Sequence, residues 1–345
     1  MSQNQKTHPL LETARQAYVF SAYQLTCEHA GRSDAWYGGK TSYWPGAESI
    51  TPKTLFDIGS VTKAVVTTSL FARALSQGRV DLGQAVQHWV PELAGTALGP
   101  LLLSDLLSHG AGLKAWLPLF RGAIPADRRA WMRSQAPHWV ENSPASKAVY
   151  SDLGFLLLGE VLTSIFQVSL KKAFEQQVAG PLGLGATCYG PVGAAAATEV
   201  REGKPLVGRV FDENCEALGG VGGHAGLFST AQDLAAWARA WLDAVRGTRS
   251  WIEPAVALRL TQRWGKIKTS PWALGWDTPS QPSSSGRYFS PESFGHLGYP
   301  GCSVWIDPKR QGFVIFLSNR VHPSRLDERI RRLRPELHDM LTAHW

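Results

Sequence analysis

Phe56-Asp57-Ile58-Gly59-Ser60-Val61-Thr62-Lys63 runs without a break into Ala64-Val65-Val66-Thr67-Thr68-Ser69-Leu70-Phe71-Ala72-Arg73-Ala74-Leu75. The second half reads as an apolar helix that begins near Ser60 and stops before Gly78, with the length and periodicity of a buried element. Ser60 and Lys63 then share one helix face, three residues apart. A serine in the first turn meets unpaired backbone N–H groups and the positive end of the helix dipole, both of which favour negative charge developing nearby. A lysine held against it in apolar surroundings is disfavoured as an ammonium, so it can stay partly neutral and take the serine proton. That turns an inert hydroxyl into a nucleophile.

Ser-x-x-Lys is short, and the chain holds a second copy, Ser169-Leu170-Lys171-Lys172. There the serine opens a polar helix carrying Glu175, Gln176 and Gln177, and helix capping accounts for it. Ser60 differs because its lysine lies on a helix that reads as buried, where a charge needs a reason.

The 345 residues, 44% hydrophobic with 34 glycines, are enough for a large core in one body of two lobes. The net charge of +7 is concentrated near the C-terminus at Arg320, Arg325, Arg329, Arg331, Arg332 and Arg334. Asp327, Glu328 and Glu336 are interspersed there, which makes a solvated helix face and not a nucleic-acid-binding arm. The cysteines Cys27, Cys188, Cys215 and Cys302 are far apart and form neither a disulfide framework nor a zinc pattern. Residues 1–14 hold no apolar run like a signal peptide, and residues 153–166 are interrupted by Glu160 and too short to span a bilayer. A soluble cytoplasmic protein with no membrane partner is the expectation.

Along the chain, residues 10–17 read as a short helix, and residues 18–27 and 35–42 as a hairpin turning at 31–34. Gly39-Lys40-Thr41 is no phosphate loop, since Asp34 stands where a Walker glycine belongs. Further helices are expected at 101–108, 151–166, 169–178, 231–244, 252–264 and 325–342, with a loop over 118–137. Residues 219–226, Gly-Gly-Val-Gly-Gly-His-Ala-Gly, follow no apolar strand, so they read as a tight loop near a ligand and not as a dinucleotide turn. Residues 293–306 and 312–318 read as strands joined by the turn Asp307-Pro308-Lys309-Arg310. The fold class is therefore α+β: an antiparallel sheet built from both termini, flanked by helices, with a mainly helical lobe inserted. Residues 1–75 and 245–345 form the sheet lobe and residues 76–244 the helical one, with the active site between them.

Three ordered landmarks, Ser60-Val61-Thr62-Lys63, Tyr150-Ser151-Asp152 and His296-Leu297-Gly298, resemble the three motifs of the penicillin-recognising serine hydrolases. That superfamily contains class C β-lactamases, D-alanyl-D-alanine peptidases and related esterases. The likeness extends from about residue 51 to 319, through Leu106-Leu107-Ser108-His109-Gly110, Gly223-His224-Ala225-Gly226 and Trp305-Ile306-Asp307-Pro308. It implies Ser60 as nucleophile, Lys63 as its partner and Tyr150 as general base, the phenol ionising more easily beside a lysine ammonium. It further implies an oxyanion hole from the backbone N–H groups of Ser60 and Tyr299, the latter on an edge strand, and a substrate site at Asp152, His296 and Gly298. Trp116, by its own place in the loop after Gly112, reads as a residue lining the substrate cleft.

Two departures bear on substrate. Asp152 stands where the family usually has asparagine, and as a carboxylate it only accepts hydrogen bonds; pairing with Lys63 holds that lysine charged and moves the base role to Tyr150. His296 stands where a lysine is usual, and is charged only where its surroundings allow. Both weaken the case for a competent β-lactamase and leave the acyl-transfer machinery intact. His109 and His224 read as loop-stabilising residues, and no cofactor or metal is expected. The expectation is a serine hydrolase acting on a small ester or a short D-amino-acid-type peptide, with a non-catalytic binding protein or a true β-lactamase as alternatives; the oligomeric state is open.

Overall fold

The computed structural model describes residues 7–248 and 251–345, so residues 1–6 and 249–250 of the expected sheet lobe lie outside the described residues. Its main layer is a five-stranded antiparallel sheet in the order Arg32–Gly39, Ala22–His29, Gly312–Ser318, Ser303–Asp307, Phe294–Leu297. Both ends of the chain thus meet in one sheet, with Tyr23 opposite Ser318 and His296 opposite Val304. The central strand Gly312–Ser318 is buried throughout. Because side chains alternate along a strand, Phe313, Ile315 and Leu317 enter the main core, while Val314 and Phe316 enter a smaller one on the other face. Helices Pro9–Gln16 and Ile330–Thr342 close that smaller core with Leu11, Ile330 and Leu337.

The opposite face is covered by helix Ala231–Arg246, which runs through the lobe boundary expected at 244 and packs on the sheet. Its Trp237 and Trp241 indoles both donate to Ser69 Oγ, at 3.0 and 3.3 Å, tying the sheet to the helix that follows Ser60. That helix starts at Val61 and opens with a π-helical turn, Lys63–Thr68, before the regular helix Ser69–Ser76. Hydroxyls accommodate the wider turn: Thr68 Oγ1 donates to Lys63 O and Ser69 Oγ to Ala64 O, each at 3.0 Å. In the helical lobe, Asp152–Phe166 is capped by Ser151, whose hydroxyl accepts from Gly154 N at 3.2 Å. Among the described residues no single helix is long and apolar enough to cross a membrane.

Several boundaries differ from the sequence reading. The first hairpin turns on Ala30-Gly31, both with positive φ (49° and 80°), so Asp34 lies on a strand. Residues 293–306 are two strands, because Gly298-Tyr299-Pro300-Gly301 breaks the ladder and Gly301 takes φ 123°. The stretch read as a loop over 118–137 contains helix Arg128–Trp139: Asp127 caps it by accepting from Ala130 N, and burial of Met132, Ala136 and Trp139 outweighs Pro137 in its last turn. The C-terminal helix begins at Ile330, after a segment ordered by Arg320 donating to the carbonyls of Arg325 and Asp327. Removing the ring that fills the smaller core, Phe316→Ala, is expected to lower stability by about 3–5 kcal/mol. Urea unfolding followed by circular dichroism checks this.

Candidate active site

Strand Phe56–Asp57 pairs with Leu227–Ser229, which also pairs with Cys188–Tyr189, and this small sheet delivers the chain to Ser60. The buried Asp57 carboxylate accepts from Gly59 N and from Phe211 N, both at 2.8 Å. Burial raises its pKa to about 6 against the opposing effect of those two donors. Gly59 has φ 51°, and a Cβ there would lie 2.5 Å from Pro300, so the turn before Ser60 needs glycine.

Lys63 has no exposed surface. Its ammonium donates to Ser60 Oγ at 2.9 Å, to Asp152 Oδ1 at 2.6 Å and to His224 O at 3.2 Å, and lies 4.8 Å from the centre of the Tyr150 ring. Burial, the strongest influence, disfavours the ammonium, but Asp152 and the Tyr150 oxygen together outweigh it and leave the Lys63 pKa raised. The partly neutral lysine expected from the apolar helix is therefore not what the site holds: the Asp152 pairing keeps the charge. The expectation of an easily ionised phenol is corrected as well. Burial raises the Tyr150 pKa by more than Lys63 lowers it, so the resting phenol keeps its proton.

His296 is 2% exposed. Its Nδ1 donates to Leu297 O at 2.8 Å, and burial pushes its pKa down to about 3, so the ring is neutral and its partnerless Nε2 offers only a lone pair. It cannot act as the cation that a lysine would supply there. His109 sits behind Tyr150, ring centres 4.6 Å apart, and its Nδ1 accepts from Ser151 N at 3.1 Å, which fixes the second motif in place. His224 faces Asp212 at 3.0 Å, and its loop supports Lys63 from behind: Thr67 donates to Gly223 O at 2.7 Å. Of residues 219–226, Ala225 reaches the cavity wall. Among the described residues no group of three His, Cys, Asp or Glu side chains is placed to hold a metal ion.

Two cavities meet at Ser60, Tyr150 and Tyr299. One, about 440 Å³, extends past Trp272, Asp277, His296, Leu297 and Gly298 to Arg320, Arg331 and Arg334. The other, about 320 Å³, is bounded by Trp116, Asp152, Phe211, Asp212 and Arg325. Ser60, Tyr150, Asp152, His296, Gly298, Tyr299 and Trp116, expected from the sequence as site residues, thus line these two cavities, Trp116 at 44% exposure, with Lys63 buried behind Ser60. Tyr299 is displaced from its expected setting: it lies in the turn beyond edge strand Phe294–Leu297, with its ring stacked on Phe211 at 5.6 Å. Its N–H, like that of Ser60, donates to no acceptor among the described residues, and it lies 3.4 Å from where a Cβ on Gly59 would stand.

Sequence reasoning missed Asp57, Trp272, Asp277, Asp212 and Arg334. Asp57 and Arg334 did leave a trace, each a charge set in an apolar pattern: Asp57 between Phe56 and Ile58, Arg334 on the stripe of Ile330, Leu333 and Leu337. Asp277, pushed up to about 7 by burial, had none.

In comparisons with known proteins, a protein from Salmonella heidelberg named "Putative D-alanyl-D-alanine carboxypeptidase" is 28% identical over 307 residues, 79% of this chain and 71% of that one. Among solved structures, a class C β-lactamase from Rhodobacter sphaeroides superposes with TM-score 0.73 at 22% identity, covering 97% of each chain. The octameric penicillin-binding protein homologue from Pyrococcus abyssi reaches 0.74 at 17% identity, covering 96% of this chain and 76% of that one. These neighbours share the α+β fold. The β-lactamase family model matches residues 33–338, and the chain belongs to that family, within the penicillin-recognising serine hydrolases.

Proposed function

We propose that this protein is a serine hydrolase that forms an acyl-enzyme on Ser60 and passes the acyl group to water, acting on small esters or short D-amino-acid-type peptides. The observation that carries this reading is the Lys63 ammonium, held by Asp152 at 2.6 Å and donating to Ser60 Oγ at 2.9 Å beneath an open cleft. Before the attack Tyr150 gives its own proton to solvent, and the charged Lys63 beside it stabilises the resulting phenolate. The phenolate then takes the Ser60 Oγ proton and becomes a phenol as Oγ attacks the carbonyl carbon. The N–H groups of Ser60 and Tyr299 receive the oxyanion. Collapse expels the leaving group, which takes the proton back from Tyr150, and water then attacks the ester by the same route reversed.

Intact Ser60, Lys63 and Tyr150 speak against a non-catalytic binding role, since a degenerate site keeps no reason to bury a charged lysine against a serine. The neutral His296 speaks against efficient β-lactam turnover, because it provides no cation for the β-lactam carboxylate.

Ser60→Ala is expected to abolish p-nitrophenyl acetate hydrolysis, a loss of ~10³-fold or more. Full retention of hydrolysis would refute the proposal. Nitrocefin is expected to be turned over far more slowly than the ester; rapid hydrolysis by the purified protein points instead to a true β-lactamase.

A further inference from the structure

We propose that Arg334, assisted by Arg320, is a positioning residue that pins and polarises the Gly298–Tyr299 peptide so that its N–H serves the oxyanion. This inference rests on the acyl-enzyme reading above. It explains why two cations are buried at the end of the cleft, at 6% and 7% exposure. Every hydrogen bond these guanidiniums make among the described residues ends on a backbone carbonyl. Burying a cation costs free energy, and carbonyl partners offset it less well than a carboxylate does. Burial lowers the Arg334 pKa to about 10, which still leaves it charged at neutral pH.

Arg334 Nη2 donates to Gly298 O at 2.8 Å, and Gly301 N donates to the same oxygen at 3.1 Å, so both of its lone pairs are taken. Gly298 N donates to Cys302 O at 2.8 Å. On the next carbonyl along, Arg320 Nε donates to Tyr299 O at 2.9 Å, and its guanidinium lies 4.3 Å from the Tyr299 ring centre. In a trans peptide the C=O and N–H point in opposite directions. Drawing Gly298 O back toward helix Ile330–Thr342 therefore turns the Tyr299 N–H outward, toward the Ser60 side. Gly298 allows the approach, since a Cβ there would come within 2.3 Å of Ile58 O.

The charge matters as well as the geometry. A cation on a peptide oxygen draws electron density from the nitrogen and makes the N–H a stronger donor. This gain grows as the oxyanion forms, so it lowers the barrier without tightening ground-state binding.

The test compares wild type with Arg334→Met and Arg334→Lys on p-nitrophenyl acetate, with rates normalised to sites labelled by a fluorophosphonate, which counts only folded centres. For Arg334→Met, kcat is expected to fall about tenfold, with KM changed less than about threefold, since a weakened donor costs less than a deleted one. The infrared carbonyl band of the trapped acyl-enzyme is expected at higher wavenumber than in wild type, and Arg334→Lys is expected to recover part of both effects. An unchanged kcat and carbonyl band in Arg334→Met overturn the inference while leaving the hydrolase reading intact. If Arg334→Met yields no labelled sites, Arg320→Met is read in the same way: a shifted band supports the clamp, and wild-type behaviour overturns it. A wild-type protein that forms no acyl-enzyme removes the oxyanion itself, and both proposals fall together.

Discussion

A lysine with no exposed surface is tolerable only if its charge is answered, and here Asp152 answers it at 2.6 Å. Much else in the lobe interface follows from that pair. The helix after Ser60 must present Lys63 inward, and the helix that begins at Asp152 must be capped so that its first carboxylate meets the ammonium. The loop carrying His224 must offer its carbonyl as a third acceptor. Ser60 then receives a hydrogen bond from a cation before any substrate arrives, so the positive charge is in place before negative charge develops.

The pair also distributes the roles around it. With Lys63 committed as an ammonium, the group left to carry the serine proton is Tyr150, enclosed by Trp272, His109 and His296 with ring centres 4.6 to 6.1 Å from its own. That apolar, partly aromatic enclosure keeps the phenol protonated at rest. The same enclosure neutralises His296, so the third motif supplies shape and a lone pair and no charge. Positive charge at this end of the cleft comes instead from the C-terminal segment.

How much of this was legible depended on sequence distance. Ser60 and Lys63 could be read because the contact is three residues long and set by helix geometry alone. The two-terminus sheet was legible from runs of apolar and β-prone residues at each end. Asp57 reaching Phe211 across 154 residues, and His109 reaching Ser151 across 42, leave no local pattern. The charged Lys63 was legible from Asp152, but the Tyr150 ionisation was misread for a related reason: spacing puts groups together, but burial sets the sign of the phenol's shift, and burial belongs to the tertiary fold. Helix Arg128–Trp139 was hidden by Pro137, whose local cost tertiary packing overrides.

The most direct measurement is the pH dependence of ester acylation in Asp152→Asn against wild type. Asp152 raises the pKa of both Lys63 and Tyr150, so whichever of the coupled pair loses the proton, the rising limb of the profile is expected at lower pH in the variant. A limb that stays where it is in wild type, with Ser60 still acylated, contradicts the claim that the buried ion pair governs the nucleophile.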